Sequence, residues 1–308
     1  MVTAVFGRMP EDGGDHSAGG GFFELKMTAQ LIMNGLVLSL MIALMSVGMT
    51  LVFGILRVVN FAHGEFYMFG AVIAYIAMNQ AGMGYFEASI VAIATVGLLG
   101  WVANRLVFRR FHGKMIQGCI AAIALLIGFQ QVGWIIFGPH GRILISPLTG
   151  SVKIFGASVT MERLFLIGVA LVVILVLAWL IKYTKLGKSM RAVQQDSEAA
   201  LTLGISVNRV AGLTFGIATA LAALAGILVG TVYTVTPVMG MLPLTFALIV
   251  IIIGGMGSVM GAFIAAFIIG FQHSLTSTFW GPQFALGLSL GLAILVLIFR
   301  PRGLMGNA

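Results

Sequence analysis

Residues able to do chemistry are scarce here: nine acidic side chains, five histidines and one cysteine in 308 residues. The histidines are scattered and make no metal constellation. Cys119 lies inside an apolar run, which excludes an intrachain disulfide and a cysteine metal site and reads as a small buried hydrophobe. Gly187-Lys188-Ser189 has the ending of a phosphate-binding loop, but GxxxxGK[ST] requires glycine where Lys182 stands. Gly255-Met256-Gly257 fails the dinucleotide fingerprint in the same way, with Met260 at the place of the third glycine. The sequence has no HExxH, no paired carboxylates and no GxSxG. It predicts a protein that is not an enzyme and holds no cofactor and no metal.

Three segments nevertheless concentrate polar or conformationally special residues. The first is RVVNFAHGEF, 57–66, where Asn60, His63, Gly64 and Glu65 interrupt apolar sequence. The second is GGMGSVMG, 254–261, with Gly254, Gly255, Gly257, Ser258 and Gly261. The third is a basic stretch, 184–210, that contains Asp196 and then Glu198-Ala199-Ala200 followed at three residues' distance by Gly204. In the third, a short helix turning at glycine could be gripped by another protein, since glycine permits the left-handed turn at a helix end. An interfacial helix held at anionic headgroups by Lys188 and Arg191 is the plainer reading of the same residues.

The elements that must position these segments are membrane helices. The chain is 60% hydrophobic and 8% charged, with 41 glycines and mean hydropathy +1.10; a soluble domain carries about 25% charged residues. Apolar runs occur at 29–54, 61–80, 86–104, 116–137, 164–181, 210–235, 243–273 and 279–299, and about 20 residues cross the hydrocarbon core. The expected fold is an all-α membrane protein, a polytopic bundle of about eight hydrophobic segments with broken or re-entrant helices, in one membrane domain over 27–308. The net charge of +8 sits in short clusters between the runs, which marks topology and not a nucleic-acid face. Arg105, Arg109, Arg110 and Lys114 in one loop, and Lys182, Lys185, Lys188, Arg191 and Arg209 in another, place both loops in the cytoplasm. The connection 138–162 then faces outside, with Arg142 and Lys153 exposed, and Pro237 and Pro243 bracket an outer turn.

Parity fails near the C-terminus unless one run is broken. As a single helix 243–273 would be about 45 Å long against a core of ~30 Å, and Arg300 and Arg302 would end outside. A break at 254–261 near the midplane restores both; a single tilted helix with glycines for close packing is the competing reading. One interruption in each half, 57–66 and 254–261, is the pattern of transporters whose solute path lies between broken helices. There the free N–H groups of helix ends could bind a carboxylate. Alternatively, Asn60 and Glu65 simply cap a full span. Glu65 is almost the only carboxylate expected within the bilayer, thin material for an ion relay, so uphill transport would draw its energy from outside this chain.

Four motifs in order, VGMTLVFGILRVVNFAHGEFYMFGA (47–71), LGKSMRAVQQDSEAALTLGISVNRV (186–210), IIGGMGSVMGAFIAAF (252–267) and RPRGLMG (300–306), resemble the branched-chain amino acid ABC-importer permeases. The resemblance is to the shorter of their two permease subunits and runs from about Met27 to Gly306. It implies a prokaryotic inner-membrane importer in which this chain pairs with a second, related permease. It also implies two cytoplasmic ATPase subunits and an extracytoplasmic solute-binding protein. Under it, Asp196, Glu198, Ala199, Ala200 and Gly204 bear on an ATPase, with Asp196 and Glu198 as polar contacts. Urea, short amides or another small solute would suit the same machinery, and a stand-alone channel or secondary carrier is the alternative from a different class.

Residues 1–26 carry Glu11, Asp12 and Asp15 and a glycine-rich stretch, and lack the basic start and apolar centre of a signal peptide. They read as a flexible tail, or as sequence upstream of a natural start at Met27. Mass spectrometry of the mature N-terminus is expected to recover a peptide containing Glu11; a first peptide beginning at Met27 would show the shorter start.

Overall fold

The computed structural model describes residues 16–111, 113–154 and 157–306. Eleven helices follow one another: α1 His16–Leu56, α2 His63–Asn79, α3 Tyr85–Leu106, α4 Met115–Phe137, α5 Met161–Tyr183, α6 Lys185–Gln195, α7 Ser197–Thr202, α8 Val207–Gly230, α9 Met241–Gly254, α10 Val259–Phe279 and α11 Pro282–Phe299. A hairpin of β1 Ser151–Ile154 and β2 Ala157–Thr160, paired antiparallel, stands between α4 and α5. Of the expected tail, 1–15 lies outside the described residues, and α1 already begins at His16. Among the described residues seven helices are long and apolar enough to cross a membrane.

Each span forms for the reason its sequence suggests: an apolar run of 18 residues or more closes its own backbone bonds, which hydrocarbon demands. α1 and α8 are mostly buried, whereas α4, α5 and α11 turn most of their surface outward. That outward surface is aliphatic and aromatic, as Ile120, Ile135, Leu175, Phe284 and Ile298 show, and suits lipid.

Two contacts fix which helix ends lie together. On α6, the Gln194 Nε2 donates to the Gly257 carbonyl at 2.8 Å, and Leu304 and Met305 donate through their amides to the Ile253 and Gly254 carbonyls. The α9–α10 break, the basic α6 region and the Arg300–Arg302 tail therefore share one end, the basic end, expected from charge to be cytoplasmic. α9 runs toward this end, α10 away from it and α11 back to it, the alternation that parity requires.

The depth of the break differs from expectation. It lies at the cytoplasmic end and not near the midplane. The reason is length: α10, with 21 residues, rises about 31 Å and spans the core alone. α9, with 14 residues, rises only about 21 Å, so non-helical backbone must cover the rest of the inward crossing. That backbone is 231–240, which leaves the outer end of α8 and descends to Gly240, packed on Gly64 at the start of α2. His63 beside it meets α1 at Gly48, where the Ala218 carbonyl from the middle of α8 also packs. The re-entrant irregular segment thus precedes α9.

Small residues let the central helices touch. A Cβ added to Gly70 would strike the Ala223 backbone, and one at Gly226 would strike the Tyr67 carbonyl. Gly128, by contrast, faces open space. Gly70→Leu is expected to cost at least about 1–3 kcal/mol by overpacking and to lose the monodisperse peak in size-exclusion chromatography. Gly128→Ala should leave that peak intact and raise the melting temperature, since alanine in a helix gains up to ~1 kcal/mol over glycine.

Candidate functional site

Two sites emerge from the sequence-predicted residues, one in the bundle interior and one at its cytoplasmic end. In the interior, α1 stops at Leu56 because Arg57 takes φ +54, outside the helical region. The chain then crosses to α2 through Val58–Ala62. The Asn60 Oδ1 accepts from the Ala62 amide at 3.1 Å, and the Asn60 carbonyl accepts from the His63 amide, which starts α2 as a capping residue would. Asn60, His63 and Glu65 are all buried, at 0–1% exposure.

Their polar atoms are left over. Asn60 Nδ2, both His63 ring nitrogens and Glu65 Oε2 have no hydrogen-bond partner among the described residues. Each such atom costs about 1–3 kcal/mol when buried unpaired, and native interiors rarely leave one so. A cluster of them on one turn, at the depth of Ala218, is a feature that packing and capping do not require. Gly64 lies among these residues with its backbone against Gly240: a Cβ on it would sit 2.6 Å from the Gly240 oxygen. The inner rim of the re-entrant segment and the first turn of α2 therefore close directly on one another.

The second interruption does not join the first. Gly254 and Gly261 face each other so that α9 and α10 pack backbone to backbone. Gly255 and Gly257 take φ +99 and +93, a turn that L side chains rarely adopt. The Ser258 Oγ accepts from the Gly261 amide at 3.1 Å and caps α10. All five residues serve the hairpin, and it is the beginning of α9, at Leu244, that touches Gly64. The signal for this arrangement was the length mismatch in 243–273; the missed feature was 231–240, whose Thr-Val-Tyr-Thr-Val-Thr sequence reads as the end of an apolar span.

At the cytoplasmic end, α6 starts at Thr184, whose Oγ1 accepts from the Gly187 amide at 3.0 Å, and Gly187 lies against the Leu180 and Ile181 carbonyls. α7 starts at Asp196, whose Oδ1 accepts from the Glu198 and Ala199 amides at 2.9 and 3.1 Å. Asp196 thus has a structural duty at the helix start, while the Glu198 side chain stays exposed. Ala200 is buried and Ala199 exposed. Gly204, at φ +79, turns the chain, with the Ile205 amide donating back to the Ala200 carbonyl at 3.0 Å. Two residues not singled out in the sequence stand out here: Leu201 and Leu203 are 57% and 78% exposed on this polar end. Their signal was position alone, immediately before the turning glycine.

Among the described residues no three His, Cys, Asp or Glu side chains come together as a metal-ligand group. Comparison with known proteins now bears on the whole chain. The high-affinity branched-chain amino acid transport system permease protein LivH of Salmonella typhimurium is 32% identical over 293 residues, covering 90% of this chain and 95% of that one. The permease protein BraD of Pseudomonas aeruginosa is 31% identical with the same coverage. The LivM permease protein of Escherichia coli is 24% identical over 87% of this chain and 68% of its own length. Among solved structures, PsaBC from Streptococcus pneumoniae in complex with Fab superposes with a TM-score of 0.54 at 13% identity, over 91% of this chain and 95% of that one, a likeness of fold. Residues 31–299 match the family described as the permease component of the branched-chain amino acid transport system, and the chain belongs to that family of multi-pass membrane permeases.

Proposed function

We propose that this permease lines the path by which branched-chain amino acids enter the cell, and that the work is done by ATP hydrolysed on two separate cytoplasmic subunits. A second, related permease completes the path, and an extracytoplasmic solute-binding protein delivers the solute. The likeness to both LivH and LivM supports a pair of related permeases. The observation that carries the coupling part is the exposed apolar pair Leu201, on α7, and Leu203, just past its end, with Glu198 beside them. Apolar side chains at a protein end facing water mark a protein contact, and here they sit on a helix fixed at both ends by Asp196 and Gly204. Within the bundle, the path runs past Asn60, His63 and Glu65, whose unpaired polar atoms give a passing zwitterion partners. Gly254–Gly261 is assigned to its inner end, where the α9–α10 hairpin meets α6 through Gln194.

Deleting the gene should abolish high-affinity uptake of radiolabelled leucine, and the wild-type gene should restore it. Uptake of urea or a short amide in place of leucine would reassign the solute, and leucine flux from this chain alone in liposomes, without ATPases, would overturn the ATP-driven reading. Leu203→Asp should cut uptake at least about tenfold and lose co-purification of the ATPases, since a charge in an apolar contact is costly. Asp196→Ala should loosen α7 by ~1 kcal/mol, seen as faster amide exchange over 197–203, and lower uptake, whereas Asp196→Asn keeps the cap and the transport. Equal loss in both Asp196 variants would show a direct ionic contact instead.

A further inference from the structure

The outer half of the bundle holds a cavity of about 490 Å3 between α1, the re-entrant segment, α9 and α10. Its walls are mostly apolar, with Met41, Leu242 and Phe246 among them, and its polar groups come from Tyr67, Tyr233, Thr234, Thr236 and His273. His273 lies edge-on to Phe246, ring centroids 4.8 Å apart, and its Nδ1 is buried without a partner among the described residues. The volume falls within the ~300–1,000 Å3 of small-molecule sites, which pair apolar walls with a few polar groups. A second, smaller cavity of about 180 Å3 shares Leu38 and Tyr233 with the first, so the two adjoin. Its character is opposite: Asn34, Arg163, Ser277 and Thr278 line it. The Arg163 Nη1 donates to the Asn34 Oδ1 at 2.6 Å, its one hydrogen bond among the described residues, which holds the guanidinium in place and leaves donors over.

We propose that the two chambers form one binding site for an amino acid with an aliphatic side chain. Arg163 takes the carboxylate and the apolar chamber takes the side chain. This site rests on the transport reading above and says where the solute waits. A guanidinium matches a carboxylate with two parallel N–H bonds, and no other lysine or arginine lines either chamber. Below the apolar chamber the backbones of Gly64 and Gly240 meet. The solute therefore rests above a closed contact, with the unpaired groups of Asn60, His63 and Glu65 on its far side.

The test uses the complex of this chain with its partner subunits, purified in detergent, in a Cys119→Ser background carrying Thr236→Cys. Alkylation of the introduced thiol by a small methanethiosulfonate reagent should be slowed by leucine. Arg163→Gln should raise the leucine concentration for half-protection about tenfold or more, the worth of a hydrogen bond to a charged group. It should leave leucinamide, which lacks the carboxylate, unchanged; that unchanged value also shows that the variant is folded. Leu242→Trp, which fills the apolar chamber, should abolish protection by leucine. In parallel, the same preparation reconstituted into liposomes is assayed for ATP-driven leucine uptake. A preparation that takes up leucine yet shows no protection overturns the site and leaves the function standing, as does an Arg163→Gln shift equal for leucine and leucinamide. Absence of leucine uptake by the wild-type complex overturns the function, and the site with it.

Discussion

Backbone that is not helical has no water to turn to inside a bilayer, so every N–H and C=O in it must find protein. The segment 231–240 is where this constraint bears hardest, and much of the outer half of the molecule is arranged to meet it. Val235 exchanges both of its backbone bonds with Arg142, at 2.6 and 3.1 Å, and the Leu144 amide donates to the Gly230 carbonyl at 3.0 Å. The Val232 and Tyr233 amides return to Val229, and Met239 and Met241 close turns on Thr236 and Val238. The loop after α4 thus serves as a strand partner for a piece of chain that would otherwise be forbidden. Arg142 is held in turn, its guanidinium 5.1 and 5.4 Å from the Tyr75 and Phe137 ring centres and donating to the Tyr75 hydroxyl at 3.1 Å. An arginine read from sequence only as exposed on the outer connection is also the pin that keeps the re-entrant segment in register.

Supporting such a segment limits what its neighbours can be. α2 must begin beside Gly240, which requires a residue without Cβ at Gly64, and α8 must approach α2 closely enough that Gly70 and Gly226 are both needed. Without hydrophobic gain between helices in lipid, close contact of this kind is what association there relies on. The abundance of glycine therefore has a specific cause. It is spent along the contacts that bury α1, α2 and α8, while positions such as Gly128 and Gly287 face open space.

This explains which parts of the molecule were legible in the sequence. Span number and the break before Ser258 follow from length and parity, because a bilayer imposes a fixed thickness that sequence records directly. The cap by Asp196 and the turn at Gly204 follow from local chemistry. The depth of the break was not legible, because 243–273 is uniformly apolar and nothing local says whether its first half begins at the membrane surface or halfway in. The re-entrant segment was hidden for a related reason: residues 231–236 have the β-branched, weakly polar character of either a span end or an extended strand. Only the partner strand at Arg142, nearly a hundred residues earlier in sequence, decides between them. Leu201 and Leu203 were unreadable in the same sense, since a leucine in a short helix is core or contact according to what lies opposite.

The division of labour between chains follows from the same scarcity of polar groups. An ion-driven carrier would need several titratable residues along its path, whereas the interior here offers Asn60, His63 and Glu65 on a single turn and His273 further out. On the proposed path those groups would give a passing zwitterion hydrogen bonds, and they offer little with which to couple its movement to an ion gradient. In the proposed coupling energy arrives mechanically, and a continuous chain of contacts is available for it. α7 packs through the buried Ala200, α6 reaches the α9–α10 hairpin through Gln194 and Gly257, and α9 leads from that hairpin to Gly240 and so to Gly64. A displacement of α6 would be transmitted along a rigid helix to the contact between the two glycines. A permease built this way needs no chemistry of its own.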